Sequence, residues 1–139
     1  MPTLTRWFLR LSLVYLVLAV LLGLVIAARA PLNLDFPASA FSPVYFHLFM
    51  VGWVAQLIFG VVFWMFPKYS REKPRGSEAL GWAVFWLLNA GLALRLVAEP
   101  AQGINPASTW GWLLAASAVL QWLAGLLFVV NTWARVKER

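Results

Sequence analysis

The chain has no cysteine, a single histidine, and only five acidic residues against eleven basic ones. Without cysteine there is no disulfide framework, no iron–sulfur cluster and no thiolate nucleophile. With one histidine the chain cannot by itself build a centre that needs several imidazoles, as copper sites do. Oxygen reduction by this chain alone is therefore not expected, and the reading leans against an enzyme. Charge is scarce as well: 12% of the 139 residues are charged while 63% are hydrophobic, giving a mean hydropathy of +0.79. A soluble domain of this length could not cover so much apolar surface, so the chain is read as an integral membrane protein.

What is present is four apolar runs, each close to the roughly 20 residues that cross a bilayer. They extend over about 7–28, 40–66, 80–98 and 110–133, within one membrane domain spanning residues 1–139. The second run stops at Pro67 and the third is expected to close before Pro100, because proline cannot extend a helical hydrogen-bond ladder. The connections "RAPLNLDFPAS", "PKYSREKPRGSE" and "EPAQGINPAS" carry the Pro, Asn, Ser and charge of loops. Lipid offers the backbone no hydrogen-bond partner, so the spans must be helices and the fold class is an all-α, four-helix membrane bundle. The basic N-terminus resembles a signal peptide, but its apolar run exceeds the roughly 7–15 residues of such a segment. It is read as a retained helix.

The cations set the expected orientation. Arg6, Arg10, Lys68, Arg71, Lys73, Arg75, Arg135, Lys137 and Arg139 flank one side of the spans, leaving only Arg29 and Arg95 for the other. The positive-inside rule then puts both termini and the second loop in the cytoplasm, in a multi-pass protein of the cytoplasmic (inner) membrane. The net charge of +6 is a topology signal directed at lipid phosphate. Nucleic acid is not implied, since no folded basic domain gathers the charge. Most of the nine tryptophans fall at the two interfaces, as an aromatic belt does. Trp122, near mid-membrane, is expected in the core.

The one histidine, His47, lies inside the second span, about one to two turns below the outer interface. At 100° per residue it shares a face with Val51, Val54, Ile58, Val61 and Met65. The opposite face carries Gly52, Gln56 and Gly60, a small-residue stripe suited to a close helix contact, across which Gln56 can hydrogen-bond. Arg95 ends the third span at a similar depth and Arg29 follows the first. An imidazole with arginines on its outer side is what a haem requires: the iron takes a neutral imidazole nitrogen and the propionates take guanidinium groups. Other readings stand beside it. His47 could snorkel or bond a backbone carbonyl, and Arg95 could serve only as the i,i+4 partner of Glu99. Ser117, Gln121 and Gly125, four residues apart, read as interhelical glue. Met65, about 27 Å along the helix from His47, is no axial ligand for the same iron.

The stretch "FHLFMVGWVAQLIFGVVFWMFPKYSREKPRGSEALGWAVFWLLNAGLAL" resembles the small, single-module relatives of the haem–copper oxidase catalytic subunit, the short cbb-type oxidase subunit one homologues. Their second helix carries an "HxHLxxxGW…G…P" pattern and their third a "FWLLNxG"-like one. His47, Leu48, Gly52, Trp53, Gly60 and Pro67 match the first; Phe85, Trp86, Leu87, Leu88, Asn89 and Gly91 match the second. Tyr45 stands where the pattern has its first histidine. The resemblance implies that His47 is an axial ligand of haem b, with Arg95 and Arg29 at the propionates, serving electron transport or haem-linked gas sensing. It also implies a homo-oligomer, trimer or dimer, with haem between protomers, since one chain supplies only half of a bis-histidine site. The alternative is a non-catalytic structural or assembly subunit of a respiratory complex. A small transporter or channel is a third, weaker reading, as the spans offer no carboxylate and no broken helix pair.

Overall fold

The structure is a computed structural model and describes residues 1–72 and 74–136; Lys73, Lys137 and Arg139, counted above among the flanking cations, lie outside the described residues. Four helices are long and apolar enough to cross a membrane: α1 (Thr3–Ala28), α2 (Ala38–Met65), α3 (Glu78–Ile104) and α4 (Ser108–Trp133). Each begins a few residues earlier than hydropathy alone suggests, and α3 also ends later. It runs through Pro100 to Ile104 instead of closing before it. Membrane helices tolerate an internal proline where the freed backbone group finds other company.

Sequence neighbours pack side by side, α1 on α2, α2 on α3 and α3 on α4, while α1 reaches α3 through long side chains such as Phe8, edge-on to Phe85 at 5.1 Å. The result is a four-helix membrane bundle laid out as an open arc, with α1 and α4 at its two edges. In the most apolar stretch of each span, 28% of α2 and 39% of α3 is buried but only 11% of α1 and of α4; the middle helices are the core of the arc. Leu4, Phe63 and Gly81 meet at the end of the bundle that carries the start of the chain, and Ala40 meets Gly103 at the other. One core cluster gathers Phe8, Phe63, Phe85 and Leu88; a second gathers Ala19, Val44 and Leu48. Phe59 stacks on Phe128 at 3.9 Å, the main apolar bridge from α2 to α4.

The glycine stripe of α2 does face a neighbour. A Cβ on Gly52 would lie 2.8 Å from the Tyr15 side chain, and one on Gly60 would lie 2.7 Å from Phe8 Cβ. Gln56, between them, is fully buried, but neither atom of its amide finds a hydrogen bond among the described residues. Tyr15, whose ring covers Gly52, donates its hydroxyl to Asn89 Oδ1 of α3 at 3.0 Å and so ties α1 to α3.

Two further departures have physical causes. Leu48–Ala55 is π-helical. Its wider turn, about 4.4 residues, makes the helix lag on the order of 100° behind an α-helix across this stretch. His47 is thereby taken off the Ile58 and Met65 face, which is left half or more exposed. The second concerns Trp122, which is 65% exposed on α4 and not in the core. Gly125 likewise meets nothing within 4 Å among the described residues.

The loop end is tied by side chains. Ser77 caps α3, its hydroxyl accepting from Leu80 N at 3.3 Å. Ser77 N donates to Asn131 Oδ1 at 2.9 Å, and Asn131 Nδ2 donates back to the Ser77 carbonyl at 3.2 Å. Gly76, at φ +76°, makes the close approach, since a Cβ there would be 2.7 Å from Asn131 Oδ1. Arg135, 1% exposed, donates to the carbonyls of Phe63, Phe66 and Pro67 and so caps the C-terminus of α2.

Gly60→Ala is expected to lower the unfolding temperature in detergent, by overpacking worth about 1–3 kcal/mol, while Gly125→Ala leaves it unchanged or raises it. Asn131→Leu, which removes two hydrogen bonds between α3 and α4, is expected to cost about 1–3 kcal/mol in the same melting measurement.

Candidate functional site

The α2–α3 register, set by Ala40 against Gly103, brings the two polar positions of these helices together. His47 Nδ1 lies 2.9 Å from the Pro43 carbonyl oxygen and 3.1 Å from Glu99 Oε1. Arg95 Nη1 donates to the same Oε1 at 3.0 Å. The three side chains are largely withdrawn from the surface, Glu99 at 8% exposure and His47 at 21%. One carboxylate oxygen thus faces an imidazole and a guanidinium at once. The arginine pairs with the carboxylate directly.

Both groups beside Nδ1 are acceptors. The proton of a neutral His47 therefore belongs on Nδ1, and the Nε2 lone pair points away from the cluster.

The network continues into α4. Arg95 Nε donates to Ser117 Oγ at 3.3 Å, Gln121 Nε2 donates to it at 3.2 Å, and Ser117 Oγ donates to the Gly91 carbonyl at 2.6 Å. The hydroxyl has spent its one proton and both lone pairs. Ser117 and Gln121 are the glue expected of them. Close passage requires Gly91, where a Cβ would stand 2.9 Å from the Gln121 side chain.

Of the three residues expected at a haem, the structure unites two. His47 and Arg95 share Glu99; Arg29 is elsewhere, its guanidinium 5.8 Å from the centre of the Phe36 ring in the first loop. Glu99 is the member that sequence reading tied only to Arg95. Its spacing from Arg95 is visible in the sequence, but its meeting with His47 depends on how two helices slide past each other. Tyr45 covers Gly23 of α1, with a ring carbon 2.9 Å from where a Cβ would be, and stacks on Phe49. Among the described residues no three His, Asp or Glu side chains gather as metal ligands.

Residues 2–134 match the family model described as Cytochrome C and Quinol oxidase polypeptide I. No curated protein and no solved structure matches the chain. The family match agrees with the helix-two and helix-three patterns around His47 and Asn89, and it reaches the haem–copper oxidase superfamily as a whole, not its cbb-type branch in particular. Since it covers all four membrane helices, the chain belongs to the cytochrome c and quinol oxidase polypeptide I family.

Proposed function

We propose that this chain is a non-catalytic structural or assembly subunit of a respiratory membrane complex, with the loop end of the bundle on the cytoplasmic side of the inner membrane. The observation that supports this reading is where the polar chemistry at membrane depth is spent. Arg95, Glu99, Ser117 and Gln121 engage one another between α3 and α4, and Glu99 meets His47 of α2. In lipid such bonds hold helices together; Glu99 keeps its second carboxylate oxygen, Oε2, buried without a partner among the described residues.

A second reading has its own observation. With Nδ1 held by the Pro43 carbonyl and Glu99, Nε2 is the nitrogen free to bind iron, and a ligating imidazole is held in this way by a carbonyl or carboxylate at its other nitrogen. The donor set suits one axial position of a haem b, which when bound would supply one-electron transfer. His47 would hold it, and a bis-histidine site would need His47 from two copies. Arg95 pairs with Glu99 and Arg29 lies over the Phe36 ring, so as propionate partners both would turn from these contacts.

Mild-detergent purification of the tagged chain from its own membranes is expected to bring down subunits of a respiratory complex, without a haem spectrum of its own. A chain isolated alone, with a Soret band and sharp reduced α and β bands that vanish in His47→Ala, would overturn the structural reading in favour of haem ligation. Glu99→Leu strands the Arg95 charge at membrane depth. It is expected to cost about 3–5 kcal/mol in a melting measurement, and the double variant Arg95→Leu/Glu99→Leu much less.

A further inference from the structure

Gln56 is buried completely, and among the described residues neither its amide nitrogen nor its carbonyl oxygen has a hydrogen bond. A primary amide offers two donor protons and two acceptor lone pairs. Lipid can satisfy none of them, and burying them dry is costly. The helix contacts fix what surrounds this amide. Tyr15 meets the Gly52 position and Phe8 the Gly60 position, so Gln56, midway between, is level with Leu11 and Ser12 of α1. Ser12 shares the face of Phe8 and Tyr15, four residues after one and three before the other. It too is fully buried. On the other side Leu92 reaches Gly52 and Phe63 reaches Gly81, which sets Gln56 level with Leu88 and Asn89 of α3. Asn89 faces inward as well, since the Tyr15 hydroxyl bonds to it. Three helices thus turn a polar side chain inward at one level, near the middle of their spans.

The neighbours of Gln56 have capacity to spare. Ser12 Oγ spends its proton on the Leu9 carbonyl at 2.8 Å and keeps its lone pairs. Asn89 Nδ2 spends one proton on the Phe85 carbonyl at 2.7 Å and keeps the other. Neither bonds Gln56 directly. Complementary buried groups that share a level and do not touch are what a bridging water joins. Thr5 Oγ1, also buried without a partner among the described residues, lies about 10 Å further along α1 from Ser12 and beyond the same water.

We infer that the contact of α1, α2 and α3 encloses a bound water deep in the membrane. It accepts from Gln56 Nε2 and from the second Asn89 proton, and it donates to Ser12 Oγ and Gln56 Oε1. Two protons and two lone pairs are thereby matched, within the two to four bonds that buried waters make. Such a water belongs to the protein, enclosed as the helices come together, because lipid supplies none. The site is separate from the His47 cluster, and it requires neither reading of that cluster.

The test uses the full chain in nanodiscs of deuterated lipid, with glutamine labelled in carbon and nitrogen so that each side-chain amide is assigned through its own backbone. In the parent protein the Gln56 amide protons are expected to show a magnetisation-transfer cross-peak to water, of the sign of dipolar contact and not of chemical exchange. Ser12→Ala removes one arm of the bridge and should weaken that cross-peak at least about twofold. Gln56→Leu should lower the melting temperature, because it breaks a tie among three helices; an amide that was buried dry would be replaced by leucine at no loss. The first measurement needs no variant to fold. A Gln56 amide in contact with protein or lipid protons alone, a cross-peak as strong in Ser12→Ala as in the parent, or a Gln56→Leu protein that melts at or above the parent temperature would each overturn the inference.

Discussion

A polar group inside a bilayer has no water to fall back on, so it must find its partner within the protein or stay unpaired at a cost of several kcal/mol. The arrangement of this chain follows from that constraint. The Arg95–Glu99 pair could not stand alone at membrane depth. It has His47 close on one side and bonds Ser117 on the other, so three helices meet in one polar cluster. Tyr15 and Asn89 do the same between α1 and α3. At the loop end, the last carbonyls of α2 would be orphans were Arg135 not folded back upon them. Apolar contacts fill the space between these ties. Because lipid is as apolar as leucine, those contacts hold the helices by close fit more than by exclusion of water.

Close fit explains the glycines. Gly52 and Gly60 let α1 come down on α2, and Gly91 lets α4 reach the Ser117 bond. Where no helix arrives, as at Gly125, the same residue type has no such role. A stripe of small residues therefore announces a contact only on the side where another helix is available, and on the edge helices of an open arc that condition fails for half the surface.

This is also where reading the sequence reached its limit. The four spans, the loops, the α2 stripe and the Ser117–Gln121 ties were legible, because they rest on hydropathy and on spacings along one helix. Trp122 was not, since a tryptophan at mid-membrane looks the same whether a helix or a lipid chain lies against it. The partnership of His47 with Glu99 was hidden for a different reason: it joins helices whose relative slide is written in no single segment. The capping role of Arg135 was masked by its place in a basic tail, where topology already explained its charge. The π-helical stretch after His47 leaves no mark in the pattern of apolar residues, although it decides which way the imidazole faces.

That stretch gives α2 two angular settings instead of one. Below it the helix is fixed by glycine against α1; above it the helix is clocked separately, by the cluster on α3. The spare residue in Leu48–Ala55 works as a slipped gear tooth. A one-residue insertion or deletion there would keep the lower helix contact intact while swinging the imidazole through about a quarter of a turn. Such a helix can thus re-aim its imidazole without repacking the core.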